Sequence, residues 1–272
     1  MTAKRLPSGG RIDRNKPIMF SWDGKAYEGY EGDTLASALM ANNQHVLSRS
    51  FKYHRPRGIM SAGVEESGAI LTVGKDNRRD PNVKATMQTL HSGLSASGQN
   101  AWPNVRNDVG AVNGAFGRFF SAGFYYKTFM YPQSMWETYE KVIRQEAGLG
   151  RSPKEYDPDI YDKMNQHCDV MVVGAGPAGL MAALAAARGG ARVIIADEQN
   201  EFGGSLLSSK ETVDGKAGSA WVASVTKELE ANENVLVLPR STVNGYHDHN
   251  FLTIHQRMTE HLADRAPNGQ VR

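Results

Sequence analysis

Two short apolar-polar runs at residues 18–22 and 25–29 flank Asp23-Gly24, a pair tolerant of positive φ, and predict a β-hairpin. Behind it, Asp33 or Thr34 can cap a helix whose Leu35, Ala38 and Leu39 share one face before Asn42-Asn43 ends it. Further short strands are predicted at residues 45–47 and 69–73. This order of elements predicts a small α+β module like a β-grasp over residues 1–91.

The second half has a different rhythm. Residues 169–173 form an apolar strand-type run that passes into Gly174-Ala-Gly176-Pro-Ala-Gly179, and an alanine- and leucine-rich helix follows to about Arg188. A second strand at residues 192–196, a helix at 217–229, and strands at 235–238, 242–246 and 251–255 complete the pattern, the last two joined as a hairpin across Asp248-His-Asn250. Residues 164–272 are thus expected to be an incomplete α/β Rossmann-type FAD/NAD-binding domain, because no further parallel strand returns before Arg272. Residues 92–163 lie between the modules and are crowded with glycine and aromatic residues, then carry an amphipathic helix at 136–148 and a connector at 152–162. Phe119, Phe120, Phe124, Tyr125, Tyr126 and Phe129 are expected to be buried there, either between domains or between subunits.

The glycine turn carries the most specific chemistry. Gly174 permits a tight turn, Gly176 lets a diphosphate approach the backbone, and Gly179 lets the helix pack closely on its strand. The amides of the helix's first turn, near Pro177 and Ala178, then face the phosphates at the positive end of the helix dipole. Asp197 follows at close to the ~20-residue spacing at which a carboxylate accepts hydrogen bonds from the adenosine ribose, and a carboxylate there disfavours a 2′-phosphate. NAD or FAD is therefore expected rather than NADP. Gly203-Gly204-Ser205 offers a second close approach and a hydroxyl donor, and the backbone near Val243 is a candidate neighbour of the adenine edge.

Charge and composition remove other readings. With 31 basic and 29 acidic residues the net charge is +2, which gives no electrostatic case for nucleic acid or an anionic membrane. Hydrophobic residues make up 40%, enough for a folded core. The longest charge-free apolar run, residues 171–187, is interrupted by glycine and proline and is short of the ~20 residues of a membrane span. No secretory signal is recognised at the N-terminus, so a cytoplasmic location is expected. Cys168 is the only cysteine, so no intrachain disulfide and no iron–sulfur cluster are expected, and its thiol is read as inert.

Arg49, Lys52, His54, Arg55 and Arg57 gather potential cations in a segment that could hold a flavin phosphate, face an acidic subunit, or remain solvated. His247 and His249, with Asp248 between them, offer two ligands at a hairpin turn without a third partner nearby, so no metal is assigned.

Four segments together carry a resemblance: Gly32-Asp-Thr-Leu-Ala-Ser-Ala-Leu39, Arg49-Ser-Phe-Lys-Tyr-His-Arg-Pro-Arg-Gly58, Gly123-Phe-Tyr-Tyr-Lys-Thr-Phe129 and the glycine turn. In these the chain resembles, nearly end to end, the N-terminal portion of the alpha subunits of heterotetrameric sarcosine oxidases. The resemblance implies a ferredoxin-like domain without its cluster, followed by a domain that binds NAD. It also implies a complex that demethylates sarcosine oxidatively with FAD or FMN on or shared with partner subunits, passes the one-carbon unit to tetrahydrofolate and forms hydrogen peroxide. By matching positions it puts the NAD contacts on Ala178, Asp197, Glu198, Gln199 and Ser205, with the phosphate turn at Gly174, Gly176 and Gly179. It assigns no catalytic group within these residues and implies that the folate-binding part lies beyond Arg272. The alternatives left open are an FAD-binding subunit of a related amine or amino-acid dehydrogenase, and a non-catalytic scaffold with a structural nucleotide.

Overall fold

The computed structural model describes residues 4–119, 123, 131–146 and 150–266. The chain divides into two compact units, residues 1–159 and 160–272.

The first unit is built on a five-stranded mixed sheet. Strands β1 (Asp13–Trp22) and β2 (Lys25–Glu31) form the hairpin, with Asp23 and Gly24 both at positive φ. Helix α1 (Leu35–Ala41) follows, and its start has a local cause. The Thr34 hydroxyl accepts the Ser37 amide at 3.2 Å while the Ser37 hydroxyl accepts the Thr34 amide at 3.0 Å, so two donors that the helix cannot satisfy internally are paired. Two two-residue strands, β3 (Ser48–Arg49) and β4 (Pro56–Arg57), pair with each other. Strands β5 (Ile70–Val73), β6 (Asp80–Lys84) and β7 (Ser95–Gly98) complete the main sheet in the order β2-β1-β7-β5-β6, with β1 and β7 parallel and the other pairs antiparallel. Phe20, Trp22, Leu35, Leu39, Leu47 and Leu71 are buried in one cluster between α1 and the sheet.

Two expectations change here. Residues 45–47 form no strand: Leu47 is buried, but the pairing begins one residue later at Ser48. Strands β6 and β7 were not expected, because Asp80-Pro-Asn and Ser95-Ala-Ser-Gly lack the β-branched and aromatic residues that mark a strand. Helix α2 (Trp136–Glu146) occupies the predicted helical segment. Phe119 is 66% exposed on the first unit, while Phe120, Phe124, Tyr125, Tyr126 and Phe129 lie outside the described residues.

The second unit alternates strand and helix. Strands β8 (Val170–Val173), β9 (Val193–Ala196) and β12 (Val235–Leu238) form a parallel sheet in the order β12-β9-β8. Helix α3 (Pro177–Arg188) connects β8 to β9. A two-stranded ribbon, β10 (Thr212–Val213) and β11 (Lys216–Ala217), leads into helix α4 (Gly218–Glu230). Proline at the first position preorganises α3, and Leu180, Ala183, Leu184 and Ala187 recur on its buried face. They pack with Ile195, Trp221, Val225 and Leu229 in a single core. A separate antiparallel hairpin, β13 (Ser241–His247) and β14 (Phe251–Gln256), follows β12. Among the described residues no helix is long and apolar enough to cross a membrane.

Candidate functional site

The glycine turn stands at the carboxyl end of β8, the end of an open parallel sheet where α/β proteins take their ligands. Gly174 has φ +93°, a left-handed conformation that a side chain would strain. A Cβ on Gly179 would overlap the Gly174 carbonyl oxygen, so glycine there is the condition for α3 to sit against its strand. Gly176 differs from both. Its backbone is extended (φ −69°, ψ −178°) and a Cβ there would meet nothing within 4 Å, so the main chain borders open space. The first helical hydrogen bond runs from the Leu180 amide to the Gly176 carbonyl at 2.9 Å, and among the described residues no side chain caps the start of this helix. An open main-chain niche at a helix N-terminus, with its amides free of caps, fits a diphosphate.

The acidic segment after β9 is tied to this turn. Asp197 Oδ2 accepts the Ala175 amide at 2.6 Å and Oδ1 accepts the Gln199 amide at 2.8 Å. Each oxygen keeps a second acceptor direction, so the carboxylate can brace the turn and still receive ribose hydroxyls. The Ala175 carbonyl in turn accepts the Gly203 amide at 2.8 Å. Gly203 and Gly204 both have positive φ, and a Cβ on Gly204 would lie 3.0 Å from the Gly176 Cα. The second glycine pair is therefore packed on the first. Ala178 and Ser205 are exposed, Glu198 and Gln199 half-buried. Val243 is a half-buried β13 residue paired with Ile254, two positions after Ser241, whose amide donates to the Asp197 carbonyl at 2.7 Å. Sequence reasoning missed Arg240 and Arg257. The Arg240 amide donates to the Gln199 carbonyl at 2.8 Å, and Arg257 Nη2 donates to the Glu198 carbonyl at 3.1 Å.

In the first unit the cationic segment is largely committed to its own fold. Arg49 Nε donates to the Val105 carbonyl at 2.8 Å and Nη1 to the His54 carbonyl at 3.1 Å, while His54 Nδ1 lies 2.7 Å from Asp108 Oδ2. Lys52 and Arg55 both sit against the Tyr53 ring, and Arg57 is exposed. The loop between β4 and β5 is organised on Glu66, which is 2% exposed. Its carboxylate accepts the amides of Met60 (2.7 Å), Ser61 (2.9 Å), Ala69 (2.9 Å) and Gly68. Burial pushes this carboxyl up, but the four backbone donors together hold it below its usual range.

Comparison with known proteins adds what the chain is similar to. Residues 15–101 match a 2Fe-2S iron-sulfur cluster binding domain, and residues 169–261 match an FAD dependent oxidoreductase domain. Sarcosine oxidase subunit alpha from Rhizobium meliloti (strain 1021) is 51% identical over 98% of this chain. Nearly the whole length of the chain is thus similar to a part of sarcosine oxidase subunit alpha. The subunit alpha of Corynebacterium sp. (strain P-1) is 37% identical over 96% of the chain. The chain spans 27% and 23% of the length of these two relatives. L-proline dehydrogenase from P. horikoshii shares the fold, with TM-score 0.51 and 18% identity over 89% of this chain and 37% of that one. The architecture is therefore a ferredoxin-like domain followed by an FAD oxidoreductase domain.

The match over residues 15–101 corrects the expectation of no iron–sulfur cluster, since that range matches a cluster-binding domain. That expectation was drawn from counting cysteines, and a ligand count does not establish a domain's lineage. Cys168, the only cysteine, lies outside the matched range, so the residues of the range do not fit a cluster held by thiolates, and no chemistry is assigned through one.

Proposed function

We propose that the second unit binds an adenine dinucleotide without a 2′-phosphate, and that the chain does so as part of the alpha subunit of a sarcosine oxidase-type complex. The observation that carries the binding is the Gly176 niche, open on its ligand side and bounded by the Ala178 and Gly179 amides, with the Asp197 carboxylate hydrogen-bonded to the same turn. In this reading the diphosphate rests on Gly174, Gly176, Ala178 and Gly179. Asp197 receives the adenosine ribose, with Glu198 and Gln199 beside it. Gly204 and Ser205 close the turn from the other side, and Val243 lies toward the adenine.

NAD is the first reading, supported by the resemblance to sarcosine oxidase alpha subunits. FAD is the second, supported by the FAD dependent oxidoreductase match over the same residues. When bound, a flavin supplies hydride chemistry and NAD a nicotinamide. This chain's residues bind and orient the adenosine diphosphate half that both share. Purified protein that is yellow and releases flavin on denaturation supports FAD; colourless protein that binds NAD supports the first reading. Binding of neither rejects both.

The wider assignment follows the resemblance to sarcosine oxidase alpha subunits: oxidative demethylation of sarcosine, transfer of the one-carbon unit to tetrahydrofolate, formation of hydrogen peroxide, and partner subunits that carry or share flavin. No residue of this chain is given a catalytic role in that reaction. Sarcosine-dependent peroxide formation by the complex assembled with its partner subunits tests it. Turnover of a different N-methyl amine in place of sarcosine changes the substrate and keeps the nucleotide site.

A further inference from the structure

The acidic segment that would face the ribose is held from behind by the base of the β13–β14 hairpin. Three consecutive carbonyls, those of Asp197, Glu198 and Gln199, accept from Ser241 N (2.7 Å), Arg257 Nη2 (3.1 Å) and Arg240 N (2.8 Å). The first and third donors are backbone amides, which most residues at those positions would supply. The second is a side chain. The Glu198 carbonyl and the Gln199 amide belong to one rigid peptide plane. Arg257 grips that plane by its oxygen, and Asp197 Oδ1 grips it by its N–H at 2.8 Å.

Arg257 is itself fixed. Its amide donates to the Arg240 carbonyl at 3.0 Å, its carbonyl accepts Arg240 Nε at 3.2 Å, and its Nη1 lies 3.6 Å from Glu260 Oε2. Its side chain is 22% exposed, so the bond to the Glu198 carbonyl is partly shielded from water. Without the guanidinium the plane can rotate, the Gln199 N–H leaves Oδ1, and the Asp197 carboxylate keeps only its bond to the Ala175 amide.

We infer that Arg257 is a positioning residue for the adenosine half of the nucleotide: it orients the Asp197 carboxylate through the 198–199 peptide plane without touching the ligand. The inference rests on the nucleotide reading above and adds a specificity determinant that lies some sixty residues along the chain from the segment it controls.

The test uses the 272-residue chain with two probes, NAD for the whole site and inorganic pyrophosphate for the glycine turn alone, titrated calorimetrically against wild type, Arg257→Ala and Arg257→Lys. The expected result is an NAD Kd raised about tenfold in R257A, corresponding to about 1.4 kcal/mol. The pyrophosphate Kd is expected to be unchanged, with partial recovery of NAD affinity in R257K, whose ammonium can still donate one bond. Amide exchange at Gln199 is expected to quicken in R257A and to slow again in R257K. Unchanged NAD affinity in R257A overturns the inference and leaves the nucleotide reading intact. Equal loss for NAD and pyrophosphate also overturns it, since that is the signature of a generally loosened unit. A wild type that binds neither probe overturns the NAD reading, and the inference with it.

Discussion

Alanine at Gly176 and alanine at Gly179 make the same chemical change three residues apart, and the structure assigns them opposite consequences. At Gly176 the backbone is extended and a Cβ meets no atom within 4 Å, so the protein itself accommodates alanine. Relieved of glycine's unfolded-state entropy, G176A is expected to be as stable as wild type or more stable by about 0.4–1 kcal/mol. The new methyl stands where a diphosphate must approach, and NAD affinity is expected to fall at least about tenfold, or about 1.4 kcal/mol. At Gly179 the Cβ would overlap the Gly174 carbonyl oxygen and lie 3.4 Å from Val172 Cγ1. Helix α3 must then move off β8, at a cost of about 1–3 kcal/mol for an overpacked contact. In a unit of this size each kcal/mol lowers the unfolding midpoint by roughly 4–8 °C. Calorimetric melting and NAD titration of the two variants separate the effects. A G176A protein that binds NAD like wild type refutes the phosphate niche, and a G179A protein with an unchanged midpoint refutes the packing role.

Three other outcomes follow from the geometry. Glu66→Gln leaves two of the four loop amides facing an NH2 group, so E66Q is expected to lose about 2 kcal/mol or more at neutral pH by denaturant unfolding. Because the folded-state carboxyl is held below its usual range, this stabilisation is present above the unfolded pKa near ~4.3 and fades as pH falls through the folded value. The gap between E66Q and wild type should therefore close in acid. Asp169 is held at about 2 by hydrogen bonds from the Arg192 side chain and amide, so Asp169→Asn is expected to lower stability at neutral pH and to flatten its loss between about pH 4 and about pH 2, the gap from wild type closing in acid, as read in pH-dependent melts. Thr34→Ala removes half of the α1 capping box and is expected to cost about 1 kcal/mol in denaturant unfolding of the first unit.

The parts of the fold legible in the sequence were those whose cause is local. The Asp23-Gly24 turn, the Thr34 cap, and the run from β8 through the glycine turn into α3 each announce themselves within a few residues. Strand β7 does not. Ser95-Ala-Ser-Gly is a strand because it lies between β1 and β5, and its residues are small because neighbours press on them: a Cβ on Gly98 would overlap Val105. Strand β6 contains Pro81, has Asn82 at positive φ, and is held at the sheet edge by pairing with β5. The same division holds in the site. Asp197 and the glycines were legible from spacing, whereas the dual hydrogen bonding of Asp197, the packing of Gly204 on Gly176 and the grip of Arg257 on Glu198 depend on chain segments distant in sequence.

A crystal structure of the chain saturated with NAD tests the central claim most directly. The account predicts the diphosphate against the Ala178 and Gly179 amides beside Gly176, with the adenosine ribose hydroxyls within hydrogen-bonding distance of Asp197. A dinucleotide bound elsewhere, or an Asp197 carboxylate bonded only to Ala175 and Gln199 while the ribose lies out of reach, would contradict it.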